Sequence, residues 1–166
     1  FDGKLPDAIL YPTGGGTGLI GMWKAFNELE CLGLIGNERP RMIVVQAEGC
    51  APIVKAFNEG ALRAEPWENA TTLAPGIRVP AAFADDLILQ TVRESNGDAI
   101  TVSDPEITTA ITEITQSEGI DVCPEGAATF AAMRKLINKK RLDKNSKIVL
   151  FNTGTGLKHP ELRAIS

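Results

Sequence analysis

Four short apolar runs set the frame of this chain: "AILY" at 8–11, "MIVVQA" at 42–47, "AITVSD" at 99–104 and "KIVLFN" at 147–152. Runs of this length and apolarity read as strands buried on both faces. The stretches between them carry a different period. Over 17–35, Leu19, Met22, Trp23, Phe26, Leu29 and Leu32 recur at helical spacing, and Gly33, Gly36 and Pro40 mark the end. A short helix is expected at 51–60, closed by Gly60, and another at about 82–95 with Leu87, Ile88 and Val92 on its apolar face. Asp104 followed by Pro105 reads as the N-cap and first turn of a helix running to Gly119. The helix at 125–140 begins with an acid and ends with bases, which suits its dipole. Residues 61–81, with "TTLAPGIRVP" inside, read as an irregular connection holding at most a short strand. Strands alternating with helices in this way predict one three-layer α/β/α domain over 1–166 with a largely parallel sheet.

Composition narrows the function classes. Seventeen basic residues against twenty-one acidic ones give a net charge of -4, and no basic run with interleaved aromatics is present. That argues against nucleic acid as a partner. No apolar stretch approaches membrane-spanning length, so no membrane partner is expected. Cys31, Cys50 and Cys123 are widely spaced with no CxxC pair, which fits a reducing, cytoplasmic setting rather than a disulfide framework or a zinc site. A single histidine, His159, leaves little room for a His-based metal site or a Ser-His-Asp triad. The chain opens with Phe1 rather than methionine and reaches a strand almost at once, as a piece of a longer protein or a processed form would.

The first run leads into Thr13-Gly14-Gly15-Gly16-Thr17-Gly18, at the carboxyl end of a strand and the start of a helix. In an open parallel sheet, ligands bind beyond that edge. Glycines let the backbone approach an anion closely, so that successive N–H groups converge on phosphate oxygens, and the helix dipole adds to the attraction. The hydroxyls of Thr13 and Thr17 are further candidate donors. A bare strand-to-helix turn would explain the same glycines without any ligand. Two phosphate ligands compete for the loop. Gly16-Thr17-Gly18-Leu19-Ile20-Gly21 fits the G-x-G-x-x-G dinucleotide pattern. Its expected acidic partner lies about 20 positions on, whereas Glu48, at the end of the second strand, is thirty-two positions after Gly16. No lysine and hydroxyl residue close the glycine run, which excludes a P-loop.

The other ligand is pyridoxal phosphate. "PTGGGTGLIGMWKAFNEL", "VVQAEGCAPIVKAF", "TLAPGIRVP", "CPEGAATFAAM" and "LFNTGTGLKHPE" resemble, in this order, the threonine synthase family of fold-type-II pyridoxal-phosphate enzymes. The resemblance runs from about residue 7 to 161 and matches the carboxyl-terminal part of that family, most of the cofactor-holding domain. It implies a full enzyme that makes threonine and phosphate from water and a phosphorylated amino acid, O-phosphohomoserine. The partner is then a small molecule, with a homo-oligomer possible. It implies that Gly14, Gly15, Gly16, Thr17 and Gly18 receive the cofactor phosphate and that Thr153 faces the pyridine nitrogen. A hydroxyl there leaves that nitrogen unprotonated and tempers the ring as an electron sink. Glu125 matches an acidic position bordering the cofactor, although a structural role, as a favourable charge near a helix N-terminus, is the preferred account of it.

Other residues read as structural. Cys50, with no base beside it, is expected to pack rather than react, and His159, ahead of Pro160, is expected in a surface turn. One departure matters more. The family anchors its cofactor on a lysine in a Ser-Phe-Lys-Asp-like setting upstream of the matched region, and these residues contain no such motif. Lys158 and the other lysines lack that context, so the chain is expected to be inactive alone. A related lyase or dehydratase and a dinucleotide-binding module are the competing readings.

Overall fold

The computed structural model describes residues 4–163; Phe1, whose place at the start of the chain suggested a longer protein, lies outside them. Four strands, β1 (Ala8–Pro12), β2 (Arg41–Ala47), β3 (Asp98–Val102) and β4 (Ile148–Leu150), form one sheet in the order β3-β2-β1-β4. Every pairing is parallel, with Leu10 opposite both Ile43 and Leu150, and Val45 opposite Ile100. Successive residues of a strand face opposite sides of a sheet, and this chain makes both sides apolar. Met42 and Val44 of β2 join Ile9 and Ala99 on one face, while Ile43 and Val45 join Leu10 and Ile100 on the other. All four β2 side chains are fully buried, which is why that run carries no alternation.

Helices α1 (Thr17–Cys31), α2 (Pro52–Asn58) and α3 (Asp85–Glu94) cover the first face through Leu19, Ile53, Val54, Ile88 and Leu89. Helices α4 (Asp104–Glu118) and α5 (Pro124–Asn138) cover the second through Ile107, Ala110, Ala127, Ala128, Ala132 and Leu136. The result is the expected three-layer α/β/α arrangement. A short α6 (Pro160–Arg163) follows the last strand.

Several boundaries differ from the sequence reading for identifiable reasons. Helix α1 stops at Cys31 rather than near 35, because Gly33 takes φ 69° and the N–H of Leu34 turns back to the Leu29 carbonyl at 2.9 Å. The N-cap of α4 is Ser103, not Asp104: Ser103 accepts from the Glu106 N–H at 3.3 Å, and the Glu106 carboxylate returns to the Ser103 N–H at 2.7 Å. That is a capping box. Asp104 instead reaches across the domain to the Thr72 hydroxyl at 2.6 Å and the Leu73 N–H at 3.0 Å. The connection at 61–81 holds no strand; it contains a single 3-10 turn at Pro75–Ile77.

Candidate cofactor cleft

The chain leaves β1 toward β2 and β3 on one side, and returns as β4 on the other. Between β1 and β4 the strand order reverses, and a crevice opens there beyond the carboxyl ends of the strands. The loop after β1 is the glycine run, and the loop after β4 is Asn152-Thr153-Gly154. The two meet in one cleft of about 370 Å³ lined by Gly14, Gly15, Gly16 and Thr17 on one side and Cys123, Glu125, Thr153, Gly154, Lys158 and His159 on the other. The turn Pro75-Gly76-Ile77 closes its side. Residues more than a hundred positions apart in sequence thus face one another because two parallel neighbours end at the same edge.

The glycines differ in why they are glycine. Gly16 takes φ 74° as the N-cap of α1, a left-handed conformation that side chains resist, and an added Cβ would run into Ile88. At Gly14 a Cβ would lie 2.6 Å from the Gly76 carbonyl oxygen and 2.8 Å from Val79 Cγ2. Gly18 lies outside the cleft lining, and its missing side chain makes room for the Tyr11 hydroxyl. Gly15 is exposed, and a Cβ there would meet nothing within 4 Å. Neither the backbone nor any neighbour within the protein requires Gly15 to lack a side chain. Helix α1 has no side-chain cap and no acidic residue in its first turn, so its N-terminal N–H groups and dipole meet no competing carboxylate there.

Of the two candidate threonine donors, Thr17 is exposed at the cleft. Thr13 is fully buried and its hydroxyl donates to the Tyr11 carbonyl at 2.8 Å, so it is committed to the loop itself. The base of the loop is pinned by Gln46, a buried residue that the sequence reading passed over. Its amide donates to the Thr13 carbonyl at 3.2 Å, and its oxygen accepts from the Ile53 and Val54 N–H groups at 3.0 and 3.1 Å. One side chain therefore ties the glycine loop to the start of α2. A glutamine near the end of an otherwise apolar strand is the signal that could have found it, since a buried amide must be satisfied.

At the opposite end, Cys123 caps α5. Its sulfur accepts from the Gly126 N–H at 3.3 Å and donates to the Asn152 side-chain oxygen at 3.2 Å, and it lies 4.0 Å from the Thr153 hydroxyl. Burial chiefly pushes the Cys123 thiol up, opposed by the Gly126 N–H and reinforced by the Glu125 charge, so the thiol stays protonated. It holds the loop after β4 against α5. Cys50 is buried, and burial likewise pushes its thiol up, as a packing residue requires. His159, expected in a surface turn, follows the 3-10 turn Gly156–Lys158 and is half-buried at the rim of the cleft. Lys158 is the lysine that lines the cleft among the described residues. A second, more apolar cavity of about 600 Å³ lies between α4 and the segments 121–124 and 156–162 and shares His159 with the cleft; the glycine loop does not reach it.

This fold and cleft define a class: an α/β domain that presents backbone donors and a hydroxyl across the crevice where its sheet reverses. The chain belongs to the pyridoxal-phosphate dependent enzyme family, whose sequence pattern matches residues 2–154. It is 38% identical over 161 residues to a threonine synthase of Methanosarcina acetivorans, covering 97% of this chain and 40% of that protein. It is 35% identical over 158 residues to a threonine synthase of Methanocaldococcus jannaschii, covering 95% of this chain and 39% of that one. The chain thus spans about two-fifths of the length of these curated relatives. Among solved structures, the fold is shared with the processed form of threonine deaminase isoform 2 from Solanum lycopersicum, with a TM-score of 0.76, 19% identity and coverage of 97% of this chain and 43% of that one. An L-serine ammonia-lyase from Rhizomucor miehei gives a TM-score of 0.74 at 21% identity, covering 97% and 50%.

Proposed function

We propose that this chain is the cofactor-holding part of a threonine synthase, a single α/β domain of a longer enzyme that converts O-phosphohomoserine and water to threonine and phosphate. The observation that carries the reading is the meeting of the glycine loop and Thr153 across the crevice between β1 and β4. Similarity to threonine synthases over nearly the whole chain supports the choice of reaction.

The residues present fit the cofactor. The N–H groups of Gly14, Gly15, Gly16 and Thr17 and the uncapped start of α1 receive a phosphate ester. Gly15 lines the cleft and is exposed, and a Cβ there would meet no protein atom within 4 Å. The Thr153 hydroxyl would face the ring nitrogen from across the cleft, where a neutral donor would leave that nitrogen unprotonated. Bound pyridoxal phosphate supplies an electron sink for carbanions formed on the amino-acid substrate. The lysine motif that anchors it covalently in the family has no match in these residues, so the chain alone should not turn over substrate.

The dinucleotide reading loses support at two places. Glu48 is half-exposed, absent from the cleft lining and paired with Lys135 at 3.6 Å. Gly21, the third glycine of that pattern, has open space where the motif demands close packing against the sheet. The test of the reaction uses the full-length natural protein loaded with pyridoxal phosphate. Phosphate and threonine are expected from O-phosphohomoserine. Release of a keto acid from threonine or serine, with no phosphate released from O-phosphohomoserine, would assign the chain to a dehydratase instead.

A further inference from the structure

A carboxylate is an unfavourable lining for a cleft that takes a phosphate ester, because its charge repels the ligand. Glu125 nevertheless lines the cleft and is only 7% exposed. Its environment explains its place. One carboxylate oxygen accepts from the Gly76 N–H at 2.7 Å, a short charge-assisted bond. Gly76 has no room for a side chain on that side: a Cβ would lie 2.8 Å from the same oxygen and 3.1 Å from Glu125 Cγ and Cδ. On its other side, the Gly76 carbonyl oxygen occupies the space 2.6 Å from where a Gly14 Cβ would stand. Three residues from separate parts of the chain are therefore stacked, with α5 at one end and the glycine loop at the other.

We propose that Glu125 is a positioning residue, whose hydrogen bond to Gly76 holds the Pro75–Ile77 turn against Gly14 and so keeps the glycine loop in its phosphate-binding shape. The inference rests on the reading of the cleft as the cofactor site. It assigns Glu125 the role of a hydrogen-bond acceptor, whose charge strengthens that bond and suits the first turn of α5 but repels a phosphate ester. Glutamine keeps the acceptor and removes the charge; alanine removes both. Gly76→Ala keeps the Glu125 side chain but crowds its carboxylate against the turn, so the hydrogen bond is disturbed whichever of the two gives way.

The experiment measures binding of pyridoxal 5'-phosphate and of inorganic phosphate to the full-length natural protein, together with hydrogen exchange at the Gly76 amide. Loss of one hydrogen bond to a charged group predicts about tenfold weaker binding of both ligands in E125A, with faster Gly76 exchange. E125Q should bind at least as tightly as the unsubstituted protein and keep the amide protected. G76A should weaken binding with Glu125 intact. If E125A does not accumulate as folded protein, E125Q and G76A decide the matter. Unchanged affinity in E125A or in G76A, or an E125Q as weak as E125A, overturns the proposal. Failure of the unsubstituted protein to bind either ligand removes the cofactor reading itself, and this inference with it.

Discussion

Gly15→Ala separates a glycine kept for folding from a glycine kept for a ligand. The methyl group would meet no protein atom within 4 Å, and Gly15 does not take a left-handed backbone. The ligand-free protein should therefore keep its stability within about 0.5 kcal/mol, or gain up to ~1 kcal/mol from the reduced freedom of its unfolded chain. Gly15 lines the cleft, so the methyl is added at its wall. If it blocks one backbone N–H from a phosphate oxygen, the loss of a hydrogen bond to a charged group, ~1.5–3 kcal/mol, weakens pyridoxal 5'-phosphate binding roughly 10- to 150-fold. Gly14→Ala is the contrasting variant. Its methyl would lie 2.6 Å from the Gly76 carbonyl and 2.8 Å from Val79 Cγ2, and overpacking of this kind costs about 1–3 kcal/mol. G14A should lose both stability and affinity. Thermal unfolding without ligand and a fluorescence titration with pyridoxal 5'-phosphate read the two quantities separately. A G15A protein that binds as tightly as the unsubstituted one, or that unfolds as early as G14A, would refute the reasoning.

Further outcomes follow from the rest of the site. Thr153→Val should leave unfolding nearly unchanged, because Thr153 is exposed, but shift the absorption of the bound cofactor; an unshifted spectrum removes Thr153 from the site. Cys31 is exposed and Cys123 is buried with its thiol pushed above the ordinary 9.0, so iodoacetamide at pH 8 should label Cys31 well before Cys123. Saturation with pyridoxal 5'-phosphate should slow Cys123 further, and equal labelling rates would contradict the cap geometry. Burial alone would raise the Glu106 carboxyl, but the Ser103 N–H and the Lys135 ammonium outweigh it and hold the group below its ordinary 4.5. Its stabilisation is complete above that value and is lost as pH falls through the lower folded value. Glu106→Gln, which can keep the capping box, should therefore cost about 0.5 kcal/mol at pH 7 through the lost charge, with the difference from the unsubstituted protein shrinking below pH 4.5. A constant difference across that range would show that the carboxylate's charge plays no part.

The sheet was legible because its residues have one job. Met42 to Val45 are apolar without alternation, and the structure buries all four on both faces. The glycine loop was legible for a related reason, since Gly16 must take a left-handed backbone and Gly14 must admit the Gly76 carbonyl. What stayed hidden depends on contacts between distant segments. Asp104 reads as a cap from its neighbours alone, yet Thr72 and Leu73 recruit it while Ser103 takes the cap. The Ser103–Glu106 pattern was present in the sequence and was overshadowed by Asp-Pro. Cys123 as the cap of α5, and Gln46 as the tie between the glycine loop and α2, had no local signature beyond a polar or sulfur atom placed among apolar ones. The placement of Thr153 opposite the loop follows from β4 pairing with β1, a topological fact that local periodicity does not carry.

A crystal structure of the full-length natural protein grown with pyridoxal 5'-phosphate tests the central claim most directly. The account predicts phosphate oxygens within hydrogen-bond distance of the N–H groups of Gly14 to Thr17 and the ring nitrogen against the Thr153 hydroxyl. Phosphate density elsewhere, or a ring turned away from Thr153, would contradict it.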